Sequence, residues 1–116
     1  MKPRARRKGV YDLGVVRKVM EREAFYYSES CSDQVIKYGI GDEDVKKCVC
    51  ALTDSNFRKT HTYDGVQYDD YVIVWEYVDE NTGLQCKDRL YIKFNVYEDE
   101  GGLASLFLSF HPESMK

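Results

Sequence analysis

Apolar residues recur at helical spacing in the first half of the chain and at strand spacing in the second. Asp12 stands as a capping residue ahead of the stripe Leu13, Val16, Val19 and Met20, which predicts a helix over 12–23. A short strand is expected over Ala24 to Ser28, and then a second short helix capped by Ser30 or Ser32 and carrying Val35 and Ile36. Gly39 followed by Ile40 has the form of a Schellman ending. A third helix follows. Gly41 is its N-cap, Asp42, Glu43 and Asp44 suit the positive end of the helix dipole, and Ile40 and Val45 hold the staple positions. Val45, Cys48, Val49 and Leu52 then repeat at i, i+3, i+4 and i+7, the mark of a helix buried on one face. Thr53-Asp54-Ser55 ends it, with a single turn carrying Phe57 after it.

From Val66 onward the period becomes that of strands. Tyr71 to Val78 is β-branched and aromatic apart from Glu76, and Asp79 to Gly83 reads as a turn. Leu90, Ile92, Phe94 and Val96 alternate with Tyr91, Lys93, Asn95 and Tyr97. After the turn Asp99 to Gly102, Ala104, Leu106, Leu108 and Phe110 alternate with Ser105, Phe107 and Ser109. Helices first and strands after predict an α+β domain. Two to three N-terminal helices would pack on one face of an antiparallel sheet of about four strands. The other face would be wetted and would display Tyr91 and Lys93.

The 116 residues fit one domain, and too few remain for a second or for a repeat array. Residues 11–116 are read as that domain and residues 1–10 as a flexible basic arm. Net charge is −3, but residues 1–60 hold 13 Lys and Arg against 9 Asp and Glu, and residues 61–116 hold 4 against 11. A broad DNA-coating surface is excluded, and any anionic partner must meet a local basic cluster. No apolar run of signal-peptide length follows Lys2 to Lys8, and no window approaches a membrane span. The expectation is a cytoplasmic protein without a membrane partner, its four cysteines (Cys31, Cys48, Cys50, Cys86) present as thiols. Cys48 and Cys50 form a C-x-C inside a helix, which projects the two thiols apart, so core thiols are expected rather than a zinc site. No cofactor is implied.

Two histidines make up the whole imidazole supply. His61 follows Arg58 and Lys59, and His111 lies past the last strand on the face of Ser109. Antiparallel pairing would bring His111 toward Tyr91 and Lys93. Guanidinium and ammonium groups neutralise a pentacoordinate phosphate, and groups titrating near neutrality move the protons. Arg58, Lys59, His61, Tyr91 and His111 are therefore candidate catalytic residues for phosphoryl transfer without metal. Ten tyrosines are many for this length, and Tyr71 and Trp75, with Lys93, are candidates to stack on and hold RNA. The acidic residues of the strands point instead to a basic protein partner.

Several segments in order resemble a known family. Tyr11-Asp12-Leu13-Gly14-Val15-Val16-Arg17-Lys18-Val19, Tyr38 to Asp44, Ala51 to Thr60, Leu90-Tyr91-Ile92-Lys93-Phe94 and Leu108-Ser109-Phe110-His111 resemble successive motifs of the MqsR (motility quorum-sensing regulator) family of mRNA interferase toxins. The resemblance spans about Tyr11 to Phe110. It implies a RelE/YoeB-like α+β fold and a type II toxin with metal-independent endoribonuclease activity. It also implies inhibition by a cognate antitoxin encoded beside the toxin. The family's active-site lysine and strand tyrosine fall on Lys59 and Tyr91, and the lysine ending its last strand falls on His111. Arg58 stands where the family has tyrosine, His61 where it has methionine, and the family's active-site glutamine has no clean counterpart. The resemblance thus implies either a site rebuilt on histidine and arginine or an inactive protein-binding module that acts through its aromatic, acidic sheet.

Overall fold

A computed structural model describes residues 8–113. The elements run α1 (Leu13–Glu21), β1 (Phe25–Tyr27), α2 (Glu29–Lys37), α3 (Asp42–Cys50), a 3-10 turn (Asp54–Asn56), β2 (Phe57–Tyr63), β3 (Val66–Val78), β4 (Gln85–Phe94), β5 (Tyr97–Asp99) and β6 (Gly102–Pro112). The fold is α+β, with three helices and a six-stranded sheet. No helix among the described residues is long and apolar enough to cross a membrane.

The helices form as their end signals dictate. Asp12 Oδ1 accepts from the Gly14 and Val15 N–H groups, and Gly39 (φ 65°) closes α2 in a Schellman ending. There the Ile40 N–H donates to Val35 O and the Gly39 N–H to Ile36 O. The second helix begins earlier than expected. Its cap is Ser28, whose Oγ accepts from the Cys31 N–H, and not Ser30 or Ser32. The strand before it ends at Tyr27, and the Ser28 N–H is held by Phe107 O, so the turn into the helix is set by the sheet.

The sheet is larger than about four strands, and mixed rather than antiparallel. Its order is β1-β6-β4-β3-β2, with β5 on β6, and β1 lies parallel to β6. One strand escapes periodicity altogether. β2 covers Phe57 to Tyr63, where only a turn at Phe57 was expected, and a two-residue turn, Asp64-Gly65, returns it to β3. Both turn residues have positive φ (51° and 79°), the geometry that Asp-Gly serves in a tight hairpin.

The core lies between the helices and one face of the sheet. Val16, Val45, Cys48 and Val49 from the helices meet Tyr71, Leu90, Ile92, Phe94, Phe107 and Phe110, all buried. Strict alternation would put Phe107 on the opposite face. The pairing Lys93↔Ser109 followed by Phe94↔Phe107 makes Leu108 an extra residue, and this bulge turns Phe107 and Phe110 to the same side. It leaves Ser109 and His111 on the other.

Of the expected arm 1–10, residues 1–7 lie outside the described residues. The segment just after them is tied down: the Val10 and Tyr11 N–H groups donate to the two carboxylate oxygens of Asp69, at 3.0 and 2.9 Å.

Candidate active site

The helix-free face of β2, β3, β4 and β6 carries the candidate residues in cross-strand rows. One row is Lys59, Asp70, Lys93 and Ser109; the next holds Val72, Tyr91 and His111. Arg58 joins the second row through an irregularity. Phe57 pairs with Tyr71 and Lys59 with Asp70, so Arg58 is a bulge residue. The bulge swings its guanidinium over Tyr91, 5.0 Å from the ring centroid, and brings Nη1 to 3.8 Å from Asp70 Oδ2.

Tyr91 and His111 are directly paired and stack at 5.7 Å with planes 14° apart. The His111 ring is fixed by its own strand end, since Nδ1 lies 3.0 Å from the Pro112 carbonyl oxygen. A carbonyl only accepts, so Nδ1 carries a proton, and in the neutral ring the lone pair is on Nε2. Tyr91 Oη donates to Glu113 Oε1 at 3.4 Å, and Glu113 Oε2 lies 3.6 Å from Arg89 Nε.

A third group stands on β2. His61 Nε2 donates to Asp70 Oδ2 at 3.1 Å. Asp70 is nearly buried and serves both His61 and Arg58. His61, Asp70, Arg58, Tyr91 and His111 thus form one connected line across the sheet. Among the candidates, Arg58, Tyr91 and His111 are brought into contact. Lys59 shares their face but stands two strands from Tyr91, about 10 Å at the usual strand spacing. His61 and His111 are three strands apart, about 14 Å before any offset along the strands, so one phosphate cannot lie between the two imidazoles.

Two expected RNA contacts are corrected. Tyr71 is fully buried on the core face, stacked on Phe94 at 5.5 Å, and burial pushes its phenol well above the ordinary range. Trp75 packs against the same core, with its indole N–H buried. Strand alternation turns both residues away from the candidate site. Lys93 does lie on the open face, where its ammonium donates to Tyr63 Oη at 3.0 Å.

Sequence reasoning missed Asp70. In the sequence it is one of several strand carboxylates, although alternation with Tyr68 and Val72 puts it on the open face. That face is also less acidic than the strand sequences suggest. Arg58, Lys59, Lys87, Arg89 and Lys93 stand on it against Asp70, Glu76 and Glu113, and each of these carboxylates has a cationic neighbour. A concavity of about 430 Å³ beside the start of α1 shares no residue with this site.

The four thiols are free, as expected. Burial pushes the Cys31 thiol up to about 12 and raises Cys48 further. Cys50 is raised first by burial and then by the charge of Glu21. Among the described residues no group of three or more His, Cys, Asp or Glu side chains is placed to hold a metal ion. No protein-family model matches the chain, and no curated protein matches it.

Proposed function

We propose that this protein is a metal-independent endoribonuclease, the toxin of a type II toxin-antitoxin pair, acting on mRNA in the cytoplasm. The observation that carries the reading is the contact of Arg58, Tyr91 and His111 on an open sheet face, with His111 Nε2 left as a lone pair. The RNA 2′-OH gives its proton to His111 Nε2 as its oxygen bonds to the adjacent phosphorus. The bond from phosphorus to the 5′-oxygen breaks, and the imidazolium returns the proton to that oxygen. The products are a 2′,3′-cyclic phosphate and a 5′-OH. Arg58 neutralises the charge that grows on the phosphoryl oxygens, and Tyr91 donates to one of them in place of Glu113. Lys59 serves the neighbouring stretch of RNA backbone, and His61 positions Arg58 by sharing Asp70.

The antitoxin partner, its adjacent gene and the MqsR-like lineage rest on the motif resemblance. A small neighbouring reading frame encoding a DNA-binding protein would support them.

Incubation of the purified chain with RNA in EDTA tests the chemistry. Fragments ending in 2′,3′-cyclic phosphate are expected. His111→Ala is expected to slow their appearance by roughly 10²–10⁴-fold, and Tyr91→Phe by a smaller factor. RNA that stays intact across varied sequences overturns the reading. It supports instead an inactive protein-binding module, which the engagement of Arg58 by Asp70 favours.

A further inference from the structure

The open face carries a second aromatic group, centred on Tyr63, of which the cleavage chemistry uses only His61. Tyr63 ends β2 with 43% of its surface exposed. Its ring stacks on His61 at 5.7 Å and 16°, and meets Tyr68 at 5.7 Å and 42°. Lys93 reaches across from β4, donates to Tyr63 Oη at 3.0 Å and lies 5.3 Å from the ring centroid. Among the described residues, none of these four belongs to the buried cluster shared with the helices. Tyr68 is buried and backs the group, while the rings of His61 and Tyr63 and the Lys93 ammonium stand outside the buried core. A flat aromatic surface beside a cation is the pairing that holds an unpaired nucleobase and its phosphate.

The placement relative to the cleavage centre is specific. Lys93 is two residues from Tyr91 on the same strand and the same face, so a chain leading from Tyr91 toward Tyr63 passes over its ammonium. Strand spacing and rise put the Tyr63 and Tyr91 backbones about 20 Å apart. The two nucleotides that flank one phosphate at Tyr91 do not span that gap, but a nucleotide further along the strand does. We infer that Tyr63, backed by His61 and Tyr68, with Lys93 on the phosphate, is a base-stacking subsite that makes the substrate single-stranded RNA longer than a dinucleotide. The inference rests on the nuclease reading for its biological sense, although binding alone is enough to test it. A duplex is excluded from the subsite because its bases are already stacked and paired.

The test uses the full chain with three probes: a labelled single-stranded DNA hexamer, which lacks the 2′-OH and cannot be cleaved, a dinucleotide RNA and a hexanucleotide RNA. Tyr63→Ala is expected to weaken hexamer binding about 5- to 100-fold, the range for loss of one base stack. It should raise KM for the hexanucleotide by a similar factor and leave kcat and dinucleotide cleavage unchanged. Tyr63→Phe keeps the ring and is expected to bind within about twofold of the native chain. A duplex competitor should displace the hexamer poorly. Equal loss on dinucleotide and hexanucleotide overturns the subsite, as does hexamer affinity that ignores Tyr63→Ala, or displacement by duplex as good as by single strand. If the native chain cleaves neither RNA, the nuclease reading fails, while Tyr63-dependent binding of the DNA hexamer still decides the subsite.

Discussion

Asp69 and Asp70 are neighbours in β3, and they serve opposite faces of the sheet. Asp69 is fully buried and closed by three donors: the Val10 N–H, the Tyr11 N–H and Thr60 Oγ1 at 2.8 Å. Its charge is spent on architecture, because it fastens the segment before α1 to the β2–β3 hairpin. Asp70 is almost as buried, but its partners are the side chains of His61 and Arg58, and these reach an open surface. The two residues share a chemistry and a strand, and only the pleat separates them. A buried carboxylate that meets backbone N–H groups holds the fold, and one that meets side chains reaching the surface arranges that surface.

The largest effect expected from this contrast falls on Asp69. Asp69→Ala removes the charged acceptor of three hydrogen bonds, two of them from the backbone that leads into α1. A loss of about 3–5 kcal/mol is expected in urea unfolding. A loss below about 1 kcal/mol would erase the distinction between the two aspartates. Phe107→Ala probes the same side of the sheet. If the bulge at Leu108 turns Phe107 into the core, truncation costs about 3–5 kcal/mol. A ring on the open face, as uninterrupted alternation has it, would cost within about 0.5 kcal/mol.

Phe107 also marks where the sequence stopped being readable. The three helices, the Schellman glycine Gly39 and the staple Ile40–Val45 were legible because their signals are local: a cap, a period, a positive φ. The faces of Tyr91, Lys93 and His111 followed from alternation and hold in the structure. What alternation cannot register is an extra residue. The bulge at Leu108 reversed the side of Phe107, and the bulge at Arg58 carried a guanidinium onto Tyr91, a contact no spacing rule predicts. The strand β2 was legible in principle, since Asp64-Gly65 between Tyr63 and Val66 is a two-residue hairpin signal, but its polar strand offered no apolar period. Pairing β1 with β6 parallel joins residues about 80 apart and leaves no local trace. Asp70 was hidden among other carboxylates because its role depends on which residues lie across from it.

A smaller effect sharpens the other half of the contrast. Asp70→Asn keeps the shape and one acceptor oxygen while removing the charge that faces Arg58 and His61. Stability is expected to change by less than about 1 kcal/mol, because Arg58 stays partly exposed and screened. Cleavage of RNA, by contrast, is expected to fall about tenfold as Arg58 loses its second anchor above Tyr91. Stability and activity measured on one preparation separate the two aspartates. Parallel losses for Asp69→Ala and Asp70→Asn would mean that both act only through the fold.

The smallest effect concerns protons on the helix-covered side, where burial holds Cys31 neutral. Its thiol ordinarily titrates near 9.0 and is pushed up to about 12 in the folded chain. Between those values the folded state keeps a proton that the unfolded state has lost. Stability is therefore fully present below about pH 9 and declines as pH rises toward 12. Over the single step from pH 9 to 10 this one group accounts for a fall of about 1 kcal/mol. Urea midpoints at the two pH values measure it, and Cys31→Ala, weaker overall for the cavity it leaves, should lose that increment of slope. A slope identical in the native chain and in Cys31→Ala would assign the alkaline loss to other buried groups, such as the raised phenols of Tyr71 and Tyr77 on the same side of the sheet.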